Sequence, residues 1–248
     1  VPIVGLRELI FDEVIRSKLE CSFSALMDFN EDPKNPDFVV AHLRFPHSPY
    51  IYDSFGNSIS INDMGDKNGY LEQLKFANKK TLEIIDSIQE RSSENIIIII
   101  SDHGTSLGEK YGEKFYGVFV YEGTINILCI IHIPDKSPKL ITKQCSTIDL
   151  YSTIAELAGV KIEKKLEIQG ESLLHLIENP SAENRAVFVE TGGLYGPWPS
   201  PEKHNVFCVK MDGKKLIYND TPQSWEFYDL KNDPNEENNI YEENSKVI

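Results

Sequence analysis

Basic charge is scarce in this sequence: 25 Lys and Arg stand against 39 Asp and Glu, for a formal net charge of −14. A nucleic-acid groove or an anionic membrane surface recruits clustered Lys and Arg, so neither is expected as a partner. Any anionic substrate would need local neutralisation, which a bound cation can supply. Cysteine is sparse too. The four thiols (Cys21, Cys129, Cys145, Cys208) lie far apart with no C-x-x-C pair. That excludes a zinc knuckle and a dense disulfide framework, and predicts reduced, mostly buried thiols. Long hydrophobic runs are also missing. Nothing approaches the roughly 18 continuous apolar residues of a membrane span, and the first residues lack the basic-then-apolar order of a signal peptide. The chain is expected to be soluble as it stands, with the cytoplasm as first choice of compartment. The start at Val1-Pro2 carries no initiator Met, which leaves room for an upstream targeting segment.

What is present is the composition of an ordinary globular protein: 248 residues, 40% apolar and 26% charged, enough for one sizeable core. Leu6, Ile10, Val14 and Leu19 recur at roughly helical spacing and predict a surface helix over 6–20. Pro33 and Pro36 then mark a loop before Phe38-Val39-Val40-Ala41-His42-Leu43, a run short and β-branched enough for a buried strand. From Gly69 to Glu90 the pattern predicts a long amphipathic helix, with Leu71, Leu74, Leu82 and Ile85 on one side. Five isoleucines, Ile96 to Ile100, follow as a strand suited to cover on both faces. Strand, helix, strand is a right-handed β-α-β unit, so the loops after Leu43 and Ile100 are expected on one edge of a parallel sheet.

Ile125 to Ile133 predicts a third buried strand closed by Pro134. Ser146-Thr147-Ile148-Asp149 has the form of a capping box before a helix that Gly159 can end. Beyond Pro180 the pattern changes. A Gly- and Pro-rich loop, 190–204, separates Val187-Phe188-Val189 from a hairpin; its stretch from Gly192 to Pro201, with Tyr195 and Trp198, is either a pocket lining or, more often for this composition, a plain connection. The hairpin pairs Val206 to Met211 with Lys214 to Tyr218 across Asp212-Gly213, and Trp225 to Leu230 adds a strand. The fold class is therefore α/β, with a core over 1–180 and a small antiparallel β or α+β subdomain over 181–248.

Ligands of open α/β sheets bind beyond the carboxyl ends of the strands, where Asp102 and His103 stand. A carboxylate followed by an imidazole, on a turn loosened by Gly104, offers one oxygen and one nitrogen to zinc or manganese; calcium and magnesium suit an imidazole less well. His47, between two prolines at the matching edge, is either a substrate-contacting imidazole or an ordinary loop residue. His42 and His132 lie in predicted strands and read as core residues, while His175 and His204 have no partner that the sequence suggests.

Taken together, these segments resemble the sulfatase-like branch of the alkaline phosphatase superfamily. Ser101-Asp102-His103-Gly104-Thr105-Ser106-Leu107-Gly108-Glu109 is similar to its second metal motif, and Pro46-His47-Ser48-Pro49-Tyr50 to its proline-histidine loop. Residues 146–159 with Gly170-Glu171-Ser172-Leu173 resemble its helix and following loop, and Phe227-Tyr228-Asp229-Leu230 to Asp233-Pro234-Asn235-Glu236 its closing motif. The matches keep the family's order from Phe38 to Tyr241. The resemblance implies a three-layer sandwich around a mostly parallel sheet, a divalent metal on Asp102 and His103, and His47 at the sulfuryl or phosphoryl group or the leaving oxygen. It implies hydrolysis of a sulfate or phosphate ester, small or part of a glycan, through a covalent intermediate.

Two features depart from that pattern. The family's nucleophile lies well upstream of the proline-histidine loop, and Cys21-Ser22-Phe23-Ser24-Ala25 lacks the Cys/Ser-x-Pro-x-Arg signature, so the nucleophile segment is expected to be missing from this chain. Tyr116 stands nearest to where many relatives carry a His or Lys before Tyr121-Glu122-Gly123-Thr124. A phosphoethanolamine- or phosphoglycerol-type transferase and a catalytically inactive, metal-binding or structural relative are the alternative readings.

Overall fold

The computed structural model describes residues 3–29, 32, 34–59, 66–110, 113–163, 166–179, 181–192, 205–220 and 223–245. They fall into two compact units, Val1–Ile98 with Ile131–Lys136, and Ile99–Ile130 with Ser137–Ile248.

The first unit is built on two long helices, α1 (Ile3–Met27) and α2 (Asp66–Arg91). Both form where periodicity predicts them, but their buried faces differ from the apolar ones read off the sequence. On α1 the buried positions are Asp12, Arg16, Leu19 and Phe23, while Val14 is exposed. On α2 they are Gly69, Gln73, Phe76, Ala77 and Ile84, while Leu71 and Leu82 are exposed. A polar side chain joins a buried face when its hydrogen bonds are met there, so a search on apolar residues alone rotates the face. Arg16 donates to Ile51 O and Ile59 O, both at 3.3 Å. Leu19, Phe23, Phe76 and Ile84 close a core over Ile51 and Tyr52 of the connecting chain. The C-terminal ends of the helices are joined by Arg91, which donates to Met27 O at 2.5 Å and Leu26 O at 3.1 Å, carbonyls that a helix end leaves unpaired.

The strand expected at Phe38 to Leu43 does not form. The segment is extended but outside any ladder, with Phe38 74% and Val40 76% exposed. A β-branched run becomes a strand only when a neighbour pairs with it and a layer covers it, and among the described residues neither happens. With no strand there, the β-α-β crossover lacks its first member. His42 is accordingly exposed and not a core residue.

Strand β1 (Ile97–Ile100) pairs with β4 (Cys129–His132) in a two-stranded sheet. Cover on both faces is not what is found, since Ile100 and Ile130 are exposed. The predicted strand over Ile125 to Ile133 is shorter at its start. Thr124 and Ile125 N–H instead donate back to Tyr121 O, making the short helix α3 (Glu122–Ile125). His132, in β4, is half-buried, with its Nε2 3.4 Å from Gln89 Nε2.

In the second unit, β2 (Ser106–Leu107) and β3 (Lys114–Phe115) pair antiparallel, as do the four strands β5 (Val187–Thr191), β6 (Val206–Met211), β7 (Lys214–Asn219) and β8 (Ser224–Asp229). The β6–β7 hairpin turns at Asp212-Gly213 as predicted. Both residues have positive φ, 51° and 78°, the backbone that a tight two-residue hairpin requires. Inward residues Val206, Cys208, Ile217 and Tyr228 pack on Val120 and Tyr121. Helix α4 (Asp149–Leu157) starts with the Asp149 carboxylate accepting from Ser146 N–H at 2.8 Å and ends at Gly159, φ 67°. Asp149 is fully buried, paired with Arg185, and also accepts from Glu171 N–H at 3.0 Å, which docks the following loop. His175 lies exposed in α5 (Leu174–Glu178). Tyr195, Trp198 and His204 lie outside the described residues.

All four cysteines are free, but only Cys208 is buried; Cys21, Cys129 and Cys145 are exposed, against the expectation of mostly buried thiols. Cys208 is on the inward side of β6, where burial pushes its thiol up to about 11.

Candidate active site

The turn that leaves β1 is set by Ser101. Its N–H donates to Leu128 O at 3.2 Å, and its Oγ accepts from Leu128 N–H at 3.0 Å. Asp102 follows with its carboxylate largely in solvent; Oδ1 accepts from His103 N–H at 3.1 Å. The His103 ring is held at both ends of its chemistry. Nδ1 lies 2.6 Å from Gly104 O, and because a carbonyl only accepts, Nδ1 carries the proton. In the neutral ring the lone pair is then on Nε2, which lies 3.7 Å from Asp102 Oδ2. The Tyr116 ring stacks on the imidazole, centroids 3.5 Å apart at 26°.

This donor pair fits a divalent ion. Two ligand atoms sharing one tetrahedral zinc lie about 3.3 Å apart, so a shift of a few tenths of an ångström brings Nε2 and Oδ2 onto one ion. A Nδ1–H bond to a backbone carbonyl is the outer-shell partner that fixes a ligating imidazole. Among the described residues no group of three or more His, Cys, Asp and Glu is arranged to hold a metal.

The rest of the motif is architecture. Gly108 has φ 98°, open to glycine, and Glu109 accepts from Leu107 N–H at 2.6 Å and from Ser106 Oγ at 3.2 Å. Gly104 N–H donates to Thr124 O at 2.8 Å, and a Cβ at position 104 would collide with Gly123 O. The Asp102–Gly104 turn thus rests directly on α3. Glu122 at the head of α3 has Lys215 Nζ at 3.2 Å and Lys210 Nζ at 2.8 Å. Burial works against its charge, but the two lysines outweigh burial and hold the carboxyl below the usual range.

His47 belongs to the other compact unit. Its Nδ1 donates to the adjacent Ser48 O, which makes Nε2 the acceptor nitrogen of the neutral ring. The loop is clamped by Gln73 of α2, only 1% exposed. Gln73 Nε2 donates to His47 O at 2.9 Å and Pro49 O at 3.4 Å, while Oε1 accepts from Ile51 N–H at 2.8 Å and Tyr52 N–H at 3.3 Å. Gln73 escaped the sequence reading, although its spacing from Gly69 and from Phe76 and Ala77 is that of the buried face. The structure therefore joins Asp102 to His103 in one turn, and positions His47 by a separate clamp.

Two family models match the chain: one described as Sulfatase over residues 20–160, and one described as N-sulphoglucosamine sulphohydrolase, C-terminal, over 111–247. Among curated relatives, an N-acetylglucosamine-6-O-sulfatase of Bacteroides thetaiotaomicron is 32% identical over 173 residues, covering 65% of this chain and 29% of its own. A sulfatase of Escherichia coli, YidJ, is 30% identical, covering 73% and 36%. A solved structure in complex with its substrate, D-glucosamine-2-N,6-O-disulfate, superposes with a TM-score of 0.57 at 27% identity, covering 73% of this chain and 37% of the other. The chain spans about a third of the length of the curated relatives it matches.

Proposed function

Because the chain belongs to the sulfatase family of the alkaline phosphatase superfamily, we propose that it carries the metal-holding turn and the leaving-group imidazole of a sulfate-ester hydrolase. The observation that carries this reading is the His103 tautomer: Nδ1–H fixed on Gly104 O and Nε2 facing Asp102 Oδ2 at 3.7 Å. A divalent ion, zinc or manganese by donor chemistry, would supply Lewis-acid stabilisation of charge on the sulfuryl oxygens. His47 would contact the sulfuryl group or, carrying a second ring proton on Nε2, give that proton to the leaving oxygen and return to the neutral ring. On this reading Cys21 to Ala25, which has no Cys/Ser-x-Pro-x-Arg pattern, does not supply the attacking group. In this reading residues 1–180 belong to the three-layer core around a mostly parallel sheet, and 181–248 form the subdomain that supports it. Sulfate is preferred to phosphate because the curated relatives described above are named as sulfatases, and a sulfated amino sugar is the substrate of one solved neighbour.

The test is direct metal binding by the full chain. Added manganese should selectively broaden the amide and ring signals of Asp102 to Gly104 in a heteronuclear NMR spectrum, and Asp102→Ala should abolish the effect. Broadening that persists unchanged in the variant would refute the assignment.

A further inference from the structure

Outside the candidate donors, the second unit holds a buried charged cluster that neither metal binding nor proton transfer uses. Lys215 of β7 is fully buried, Glu236 is 2% exposed, and Lys215 Nζ lies 2.6 Å from Glu236 Oε1. The other Glu236 oxygen, Oε2, accepts from Glu122 N–H at 2.7 Å. Lys110 donates to the Glu236 carbonyl and stands over the Tyr121 and Tyr228 rings, 5.4 and 5.6 Å from their centroids. Glu236 is in a left-handed backbone conformation, φ 57°, which an ordinary L residue rarely adopts. The sequence therefore keeps a glutamate where glycine or asparagine would be conformationally cheaper.

The cluster has a short physical route to the metal turn. Glu236 and Lys215 grip Glu122, the first residue of α3. The next two residues of α3 touch the turn: Gly123 O is the atom a Cβ at 104 would strike, and Thr124 O accepts from Gly104 N–H at 2.8 Å. Gly104 O in turn holds His103 Nδ1 at 2.6 Å. The links are short contacts, backbone through the middle of the route and part-buried side chains at its two ends, and a packed chain of that kind transmits displacement.

We infer that Glu236 is a positioning residue: with Lys215 it anchors α3, and through Gly104 it sets the His103 imidazole for metal ligation. The closing motif, far along the chain, is on this view part of the metal centre's support. The inference rests on the proposed role of His103, and its test separates the two.

Site-resolved hydrogen exchange and manganese broadening are measured on the full chain for wild type, Glu236→Gln and Glu236→Ala. Glutamine keeps an oxygen for Glu122 N–H and leaves Lys215 paired with Glu122, so it is the milder variant and carries the test alone if the alanine variant does not fold. Expected for Glu236→Ala is a rise in Gly104 amide exchange at least about tenfold beyond any rise in the amides of β6 and β7, with an intermediate effect in the glutamine variant. Manganese broadening at His103 should weaken in the same order. An equal rise at Gly104 and in β6 and β7 would reduce Glu236 to a general stabiliser and overturn the inference, as would an unchanged Gly104 in both variants. If Gly104 responds as expected while wild type shows no broadening, positioning of the turn stands and the metal reading falls.

Discussion

The clearest residue-level dependence is on Gln73. Its amide meets four backbone groups between His47 and Tyr52 from within the core. Truncating it leaves buried amide and carbonyl groups of that loop unpaired, at about 1–3 kcal/mol for each such group after solvent has taken what it can reach. Gln73→Ala is therefore expected to lower stability by about 2–4 kcal/mol in urea unfolding, with the amides of Ile51 and Tyr52 exchanging fastest. A loss below about 0.5 kcal/mol would show that the clamp is dispensable. The reason such a residue is missed in sequence is physical. Its hydrogen bonds make it a core residue, yet its composition marks it as surface, and only the fold decides between them. That Asp102 and His103 share one turn after β1 was legible from their adjacency behind the isoleucine run; the stacking of Tyr116 on His103 was not, since a ring in a loop can face anywhere.

Among elements, the β2–β3 hairpin carries a titratable strain. Glu113 is 1% exposed; its Oε1 accepts from Val118 and Phe119 N–H, both at 3.1 Å, while Oε2 is buried with no hydrogen-bond partner among the described residues. Burial raises its carboxyl above the ordinary 4.5, although the two N–H donors pull it down. The sign follows from linkage: the unfolded chain gives up this proton at the ordinary value, whereas the folded chain holds it to higher pH. The group's stabilising share is thus present below 4.5 and is lost as pH rises through the raised value. Glu113→Gln, unable to ionise, should equal wild type near pH 4 and exceed it in stability at pH 7, read as a difference between two urea midpoints. Equal midpoints at pH 7 would remove the case for a strained carboxyl. The elements themselves were largely legible: α1, α2, α4 and the β6–β7–β8 meander follow from periodicity, a Gly at a C-cap and an Asp-Gly turn. Phe38 to Leu43 was not, because a strand is a property of its neighbours as much as of its residues.

At the scale of the whole molecule, charge is the property read most directly from sequence and least altered by the fold. The net −14 is spread over a chain whose cations are partly consumed indoors, Lys215 and Lys210 on Glu122 and Arg185 on Asp149. Acidic partners are taken inside with them, Asp149 and Glu236 among these, so what is left outside is still a net acidic surface, which repels itself and favours expansion. Salt acts unequally on these two populations, because exposed charges more than about 10 Å apart are screened at 0.1 M while buried pairs are not. Raising sodium chloride from about 20 mM to about 300 mM should therefore raise the melting temperature by a few degrees, the opposite of what a fold held by surface ion pairs would do. The surface pairs that exist, Lys75 with Glu72 and Lys214 with Asp229, each contribute little in water and do not reverse that balance. Scanning calorimetry at the two salt concentrations decides the matter: a melting temperature that falls with salt would mean that attraction, not repulsion, dominates the surface. In the proposed reaction the same repulsion would face an anionic ester near Asp102, and a bound ion would lower that field as well as polarise the bond to be broken.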